Sequence, residues 1–217
     1  MPRLKLEKVA VEDSGAYKFK DAQPSIHHGY NLPAISKLIP DGIHKILDAG
    51  CGSGYSTNWM AESGHSVWGC DYSQSGVDIA QENFPDLTFF QADLIASTPK
   101  IIPLGGYDGI ISLEVIEHLF DPEKFLKNLF ASIKPGGFLI LTTPYHGYLK
   151  NMTLSVINQW DAYLMVGSVG GHIKFFSPKT LKIMLENTGF IDQKTKGAGR
   201  GPLLWCSMVT LARKPYS

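Results

Sequence analysis

Ile46-Leu47-Asp48-Ala49-Gly50-Cys51-Gly52-Ser53-Gly54 decides the fold: an apolar run carrying an acid, then glycines at alternate positions. An apolar run of this length bounded by glycine reads as a buried strand over 45–49. Glycines at 50, 52 and 54 let the chain turn sharply and bring bare backbone close to a ligand. The N–H groups at the start of the following helix attract an anionic group. The dinucleotide fingerprint Gly-x-Gly-x-x-Gly requires glycine at 55, where this chain has Tyr55, so the spacing argues against NAD. A plain strand-to-helix turn would need only one of the three glycines.

Outward from this stretch, short apolar runs alternate with amphipathic segments. Strands are expected at 66–70, 87–91, 107–113, 138–142, 190–195 and 207–212, each bounded by turn residues. Helices are expected at 55–63, 74–83, 122–133 and 177–187, with Asp121 and Ser177 as N-caps, each followed by proline. Phe125, Leu126, Leu129, Phe130 and Ile133 recur at helical spacing and give the third helix one buried face. The pattern is that of an α/β fold with a mainly parallel sheet, one domain over 1–217. The segment 144–176 interrupts the alternation with Tyr, Trp, His and Gly, and reads as an insertion after strand 5. The segment 1–42 precedes the first strand and contains an apolar helix at 32–39.

Composition narrows the function. The 217 residues carry 20 Lys plus Arg and 20 Asp plus Glu, a formal net charge of zero, with 18% charged residues. A protein that neutralises many phosphates needs a basic surplus or patch, so no nucleic-acid partner is expected. A content of 44% hydrophobic and 11% aromatic residues excludes a disordered chain. The 22 glycines are roughly a tenth of the chain, above the usual 7% or so. Cys51, Cys70 and Cys206 are odd in number and lack Cys-x-x-Cys spacing, and residues 1–10 lack an apolar signal core. The expected location is therefore the reducing cytoplasm. The stretch 148–166 is broken by Lys150, Asn151, Asn158, Gln159 and Asp161 and fails as a membrane span, leaving peripheral membrane contact open. Nothing distinguishes a monomer from a homodimer.

Two further strand ends carry acids. Cys70-Asp71-Tyr72 lies nineteen positions past Gly52, where a carboxylate beside the glycine loop accepts both hydroxyls of a ribose. Gln91-Ala92-Asp93-Leu94 follows, where Asp93 can receive an exocyclic amine and apolar neighbours cover an adenine ring. One such acid would suit a helix cap, whereas three at successive strand ends describe a ligand-binding edge. The fourth strand ends in Glu114-Val115-Ile116-Glu117-His118. As a helical turn this projects positions 114, 117 and 118 to one side. Two carboxylates and an imidazole there suit a divalent metal, Mg or Mn by their oxygen ligands. In the alternative reading, Glu114 stands near the cofactor while Glu117 and His118 fix the loop by hydrogen bonds.

Together LDAGCGSG, GCDYS, QADL, YDGIISLEVIEHL, IKPGGFLILTTP and ENTGF resemble a class I S-adenosylmethionine-dependent methyltransferase. The resemblance implies a Rossmann-like sheet of seven strands in the order 3-2-1-4-5-7-6, the last antiparallel, with helices on both faces. It implies that Gly50, Cys51 and Gly52 line the methionine part of S-adenosylmethionine and that Asp48 helps hold its amino group. Asp71 with Tyr72 would take the ribose, Asp93 and Leu94 the adenine, and Glu114 a place near the sulfonium. EVIEHL and TTP most resemble the branch of ubiquinone-biosynthesis O-methyltransferases. That branch and the small-RNA 3′-end 2′-O-methyltransferases use a comparable Glu-x-x-Glu-His as a metal site, which implies Mg at Glu114, Glu117 and His118.

The acceptor side is expected in 144–176, where Tyr145, His146, Tyr148, Trp160, Tyr163 and His172 suit closure over a flat or apolar small molecule. Gly147, Gly167, Gly170 and Gly171 would hinge such a lid. The plainer alternative is an aromatic packing helix without substrate contact. Upstream stand Tyr17, His27, His28 and Tyr30, the tandem histidines reading as a surface or cap feature. An oxygen nucleophile must lose its proton, and the imidazoles of His118, then His146, then His172 are the candidate bases. Three functions compete: a small-molecule methyltransferase acting on oxygen, a metal-assisted RNA 2′-O-methyltransferase, disfavoured by the zero charge, and a non-catalytic S-adenosylmethionine-binding module.

Overall fold

The computed structural model describes residues 19–42, 44–96, 106–166, 170–202 and 204–216. In chain order its elements are α1 (Ile26–Ser36), β1 (Lys45–Ala49), α2 (Tyr55–Glu62), β2 (Ser66–Asp71), α3 (Gln74–Asn83), β3 (Thr88–Gln91) and β4 (Tyr107–Leu113). A 3-10 turn (Ile116–His118), α4 (Pro122–Ser132), β5 (Ile133–Pro144), α5 (Tyr148–Val156), α6 (Trp160–Leu164), α7 (Pro178–Thr188), β6 (Ile191–Ala198) and β7 (Ser207–Arg213) follow. Tyr17 and Gly167 lie outside the described residues.

The sheet has the expected order β3-β2-β1-β4-β5-β7-β6. β1 pairs in parallel with β2 and with β4, so that Asp48 sits between Gly69 and Ile111. β7 runs antiparallel to both β5 and β6. The chain reverses its direction of travel across the sheet between β1 and β4. The carboxyl ends of β1, β2 and β4 therefore present the glycine loop, Asp71 and Glu114 along one edge, the place where open α/β sheets bind ligands.

Side chains alternate across the sheet with the period of two that a strand imposes. Leu47, Ile110, Leu139 and Leu141 join a core with Phe125, Leu126 and Leu129 of α4 and Leu181 and Leu185 of α7. Ile46, Ile111 and Ile140 face the other way, onto Leu32 and Ile35 of α1 and Met60 of α2. The three cysteines are free, Cys51 and Cys70 buried. No described helix is long and apolar enough to cross a membrane.

Three elements depart from expectation by three residues or more. The first helix begins at Ile26 rather than 32, because the Ser25 N–H donates to His28 Nδ1 at 3.0 Å and closes the first turn. The tandem histidines thus lie on the helix, His28 capping it and packed on Tyr55, and His27 2.6 Å from the Tyr30 hydroxyl. β5 starts at Ile133, paired with Tyr107, with Gly136 in the left-handed region at φ +76 absorbing the irregularity before the regular pairing at Phe138. β6 continues to Ala198 because β7 pairs with it along that length.

Candidate active site

Gly50, Gly52 and Gly54 all adopt left-handed backbone, with φ of +86, +54 and +87. A Cβ on Gly50 would stand 2.3 Å from Val115 Cγ2, and one on Gly52 2.7 Å from the Phe19 ring. The loop is also tied to the strand beside it. Gly50 and Cys51 N–H groups both donate to the Cys70 carbonyl at 2.8 and 2.9 Å, and the Gly52 N–H donates to Asp71 Oδ2 at 2.9 Å. These three donors are spent inside the protein, so at these positions the loop offers close backbone approach. The Cys51 side chain is buried and its thiol is pushed up by desolvation, so this residue contributes backbone and packing.

Asp48 is fully buried beneath the loop. Its Oδ2 accepts from Ser56 Oγ at 2.6 Å and Thr57 Oγ1 at 2.7 Å, while Oδ1 has no hydrogen-bond partner among the described residues. Desolvation pushes its carboxyl up to about 6, against the two hydroxyls that favour the charged form. An orphaned buried acceptor at a glycine cradle fits the amino group of a bound methionine moiety. A group raised from 3.8 to about 6 adds stability that is complete below 3.8 and is lost as pH climbs through 6. Urea unfolding of the cofactor-free protein should therefore show wild type losing about 3 kcal/mol relative to Asp48→Asn across that window. Parallel pH profiles for the two proteins would refute it.

Asp71, at the end of β2, accepts from Gly52 on one oxygen and from the Ser73 N–H at 2.8 Å on the other. Both oxygens keep lone pairs beyond these bonds, as ribose recognition requires. Tyr72 projects beside it, 57% exposed. Asp93 is exposed and its Oδ1 accepts from the Ile95 N–H at 2.9 Å, whereas Leu94 is buried. The Ala92 N–H donates to the Asp71 carbonyl at 2.9 Å, which holds the Asp93 loop beside β2.

The Glu114–His118 segment departs from the expected helical turn. Glu114 is left-handed at φ +52, and only Ile116–His118 forms a turn, of 3-10 type. The Glu114 Oε1 accepts from Thr142 Oγ1 at 2.8 Å and from Asn31 Nδ2 at 3.2 Å. Glu117 is 1% exposed, and among the described residues neither of its oxygens finds a hydrogen bond of good geometry, although the Thr143 hydroxyl lies close by. His118 Nε2 lies 3.8 Å from Glu117 Oε1, and His118 Nδ1–H donates to the Gly171 carbonyl at 3.3 Å. The third member arrives from the insertion: the His172 ring lies 5.0 Å from that of His118, tilted by 58°, with its Nδ1 buried and without a partner among the described residues. Ligand atoms of Glu117, His118 and His172 all lie within 4.8 Å of one another.

His172 joins the expected Glu117 and His118 in this cluster, while Glu114 Oε1 is engaged by Thr142 and Asn31. Without a cation, desolvation and the nearby Glu114 drive the Glu117 carboxyl well up, and burial lowers both imidazoles, His172 to about 4. Orphaned carboxylate oxygens facing two neutral imidazoles fit a divalent metal. One oxygen and two nitrogen donors move the preference from Mg toward Mn and other ions that accept imidazole.

The aromatic residues of the insertion divide. His146 lies nearly parallel to Trp160 at 6.4 Å, with Tyr163 and Phe175 edge-on at 5.5 and 4.9 Å. Tyr163 in turn borders His172 at 6.1 Å. Tyr145 instead packs on Trp205, and Tyr148 is 84% exposed on the outer surface. Three residues escape the sequence reading. Phe19 lies over Gly52 and Gly76, Asn31 holds Glu114, and Lys150 of α5 is buried. An asparagine inside an apolar helix face and a lysine inside an apolar run were the available signals for the last two.

A methyltransferase domain family matches residues 19–194. The ubiquinone biosynthesis O-methyltransferase of Vibrio parahaemolyticus is 27% identical over 165 residues, which are 73% of this chain and 68% of that protein. The human mitochondrial ubiquinone biosynthesis O-methyltransferase is 31% identical over 158 residues, 70% of this chain and 43% of that protein. The chain spans about half the length of other curated relatives it matches. Among solved structures, an S-adenosylmethionine-dependent methyltransferase from Mesorhizobium loti superposes with a TM-score of 0.68 at 20% identity, covering 85% of this chain and 97% of that one. Fold and family model agree: the chain belongs to the class I S-adenosylmethionine-dependent methyltransferases.

Proposed function

We propose that this protein transfers the methyl group of S-adenosylmethionine to an oxygen of a small-molecule acceptor held under the 144–176 insertion. The observation that carries the oxygen assignment is the Glu117, His118 and His172 cluster at the strand edge, formed by the 3-10 turn and the insertion together. Two relatives named as ubiquinone biosynthesis O-methyltransferases support it. Gly50, Cys51 and Gly52 line the methionine part of the cofactor, Asp48 its amino group, Asp71 and Tyr72 the ribose, Asp93 and Leu94 the adenine. Glu117, His118 and His172 would hold a divalent metal, whose chemistry there would be to lower the pKa of an acceptor hydroxyl.

The chain's own residues position and deprotonate. Alignment of the acceptor oxygen behind the methyl carbon, opposite the sulfur, can supply on the order of 7–11 kcal/mol of the barrier. The oxygen bonds to the methyl carbon, the C–S electron pair returns to sulfur, and S-adenosylhomocysteine leaves. His146, the candidate imidazole outside the metal set, takes the acceptor proton. Its Nδ1–H donates to Asn151 Oδ1 at 3.2 Å, and burial lowers its pKa, leaving Nε2 a neutral base near physiological pH.

Thermal unfolding with S-adenosylhomocysteine and, separately, NAD tests the cofactor. At a hundred times Kd a native-state ligand stabilises by about 2.7 kcal/mol. Stabilisation by NAD alone would overturn the reading. Labelled cofactor incubated with a metabolite extract should then label an organic-soluble or small polar product. Label confined to RNA would instead establish the nucleic-acid alternative.

A further inference from the structure

Helix α5 turns its lysine inward. Its exposed residues include the apolar Tyr148, Leu149, Met152 and Val156 beside Thr153 and Ser155, while Lys150 is only 9% exposed. Lysine normally buries its methylene stem and leaves the ammonium in water. Here Lys150 Nζ donates to the Tyr163 hydroxyl at 2.7 Å and to the Cys206 carbonyl at 3.0 Å, and stands 4.5 Å over the Tyr163 ring. Both acceptors are neutral, and among the described residues no carboxylate pairs with Lys150. Glu114 acts on it only at a distance, with its carboxylate already engaged by Thr142 and Asn31, and Arg200 adds a second positive charge nearby. An ammonium has three donors, and two are used.

The position of this ammonium gives it a use. Tyr163, which aims it, also borders His146 and His172, so Lys150 stands one aromatic ring away from the metal cluster and the candidate base. The near-parallel His146 and Trp160 rings both border Tyr163, at 5.5 and 6.3 Å, and form a flat wall beside it. We propose that Lys150, aimed by Tyr163 and the Cys206 carbonyl, binds an anionic oxygen group, carboxylate or phosphate, on a flat acceptor lying against that wall. This rests on the small-molecule reading above and adds to it the charge of the acceptor. Burial lowers the ammonium to about 8, so it remains mostly charged at neutral pH. A bound anion would supply the missing counter-charge.

Dissociation constants of benzoate, phenyl phosphate and the uncharged isostere benzamide, measured by ligand-observed NMR with S-adenosylhomocysteine present, test the proposal. Wild type should favour one of the anions over benzamide by about ten-fold or more, and the favoured anion separates carboxylate from phosphate recognition. Lys150→Met should erase that preference while leaving benzamide affinity within about two-fold, and Lys150→Arg should restore part of it. A lysine that merely tethers the lid would not discriminate charge from its isostere. No anion preference in wild type, or an unchanged one in a Lys150→Met protein that still responds to S-adenosylhomocysteine, overturns the proposal. Should Lys150→Met fail to fold, Tyr163→Phe keeps the ring and loses the aiming hydroxyl. An anion preference reduced by about three-fold or more then supports the proposal, and an unchanged one overturns it. The methyltransferase reading is tested separately by the response of wild type to S-adenosylhomocysteine alone.

Discussion

Asp71→Ala should weaken S-adenosylhomocysteine binding about a thousandfold, roughly 4 kcal/mol, when titrated calorimetrically against wild type. The size follows from what the carboxylate does twice over. It offers two charged acceptors to a ribose, and hydrogen bonds to a charged group contribute about 1.5–3 kcal/mol each. It also accepts the Gly52 and Ser73 N–H groups, so its loss releases the glycine loop from the end of β2. Asp93→Ala, at the adenine end of the same edge, is the milder comparison. That side chain is exposed and engaged only with the Ile95 N–H, so its loss should cost only about three-fold. Affinity of Asp71→Ala within a factor of about three of wild type would contradict the placement of the cofactor along this edge.

Residues whose places are set by neighbours in sequence were legible, and residues placed by distant contacts were not. Asp48, Gly50, Gly52 and Asp71 sit at the ends of buried parallel strands, where a continuous apolar run breaks into glycine or acid and the topology permits few alternatives. Glu114 to His118 looks helical because its letters suit a helical turn. What overrides this is Thr142 on β5 and Asn31 on α1, 28 and 83 residues away, which draw Glu114 into the left-handed region. His172 joins His118 only because the insertion returns to the turn, where the Ile173 and Lys174 N–H groups both donate to the Glu117 carbonyl at 3.0 Å. Lys150 was visible as one of five residues that disqualify a membrane span, but its inward direction depends on Tyr163 and Cys206. The glycine surplus divides the same way. Gly50, Gly52 and Gly54 are explained by local backbone, whereas Gly76 is explained by Phe19, whose ring would meet a Cβ there at 2.8 Å.

Glu117→Gln should abolish the stabilisation that Mn produces in thermal unfolding and reduce methyl transfer about a thousandfold, roughly 4 kcal/mol of barrier. Glutamine keeps the shape of the side chain and removes the charge that a divalent ion needs. The same substitution should leave the metal-free protein as stable as wild type or more so, because it replaces a buried carboxylate that has no hydrogen-bond partner. This combination separates a metal ligand from a residue that fixes the loop, since loss of a structural hydrogen bond would lower stability whether or not metal were present. Affinity for S-adenosylhomocysteine should change little, as Asp48, Asp71 and the glycine loop are untouched. A wild-type protein whose unfolding is indifferent to Mn, and whose methyl transfer survives a chelator, would return Glu117 and His118 to the loop-fixing role. Retention of the Mn response in Glu117→Gln would place the ion elsewhere. Comparison of Mn with Mg on wild type tests the donor set itself. Two imidazoles and one carboxylate should give Mn the larger shift, whereas a site completed by Glu114 would favour Mg.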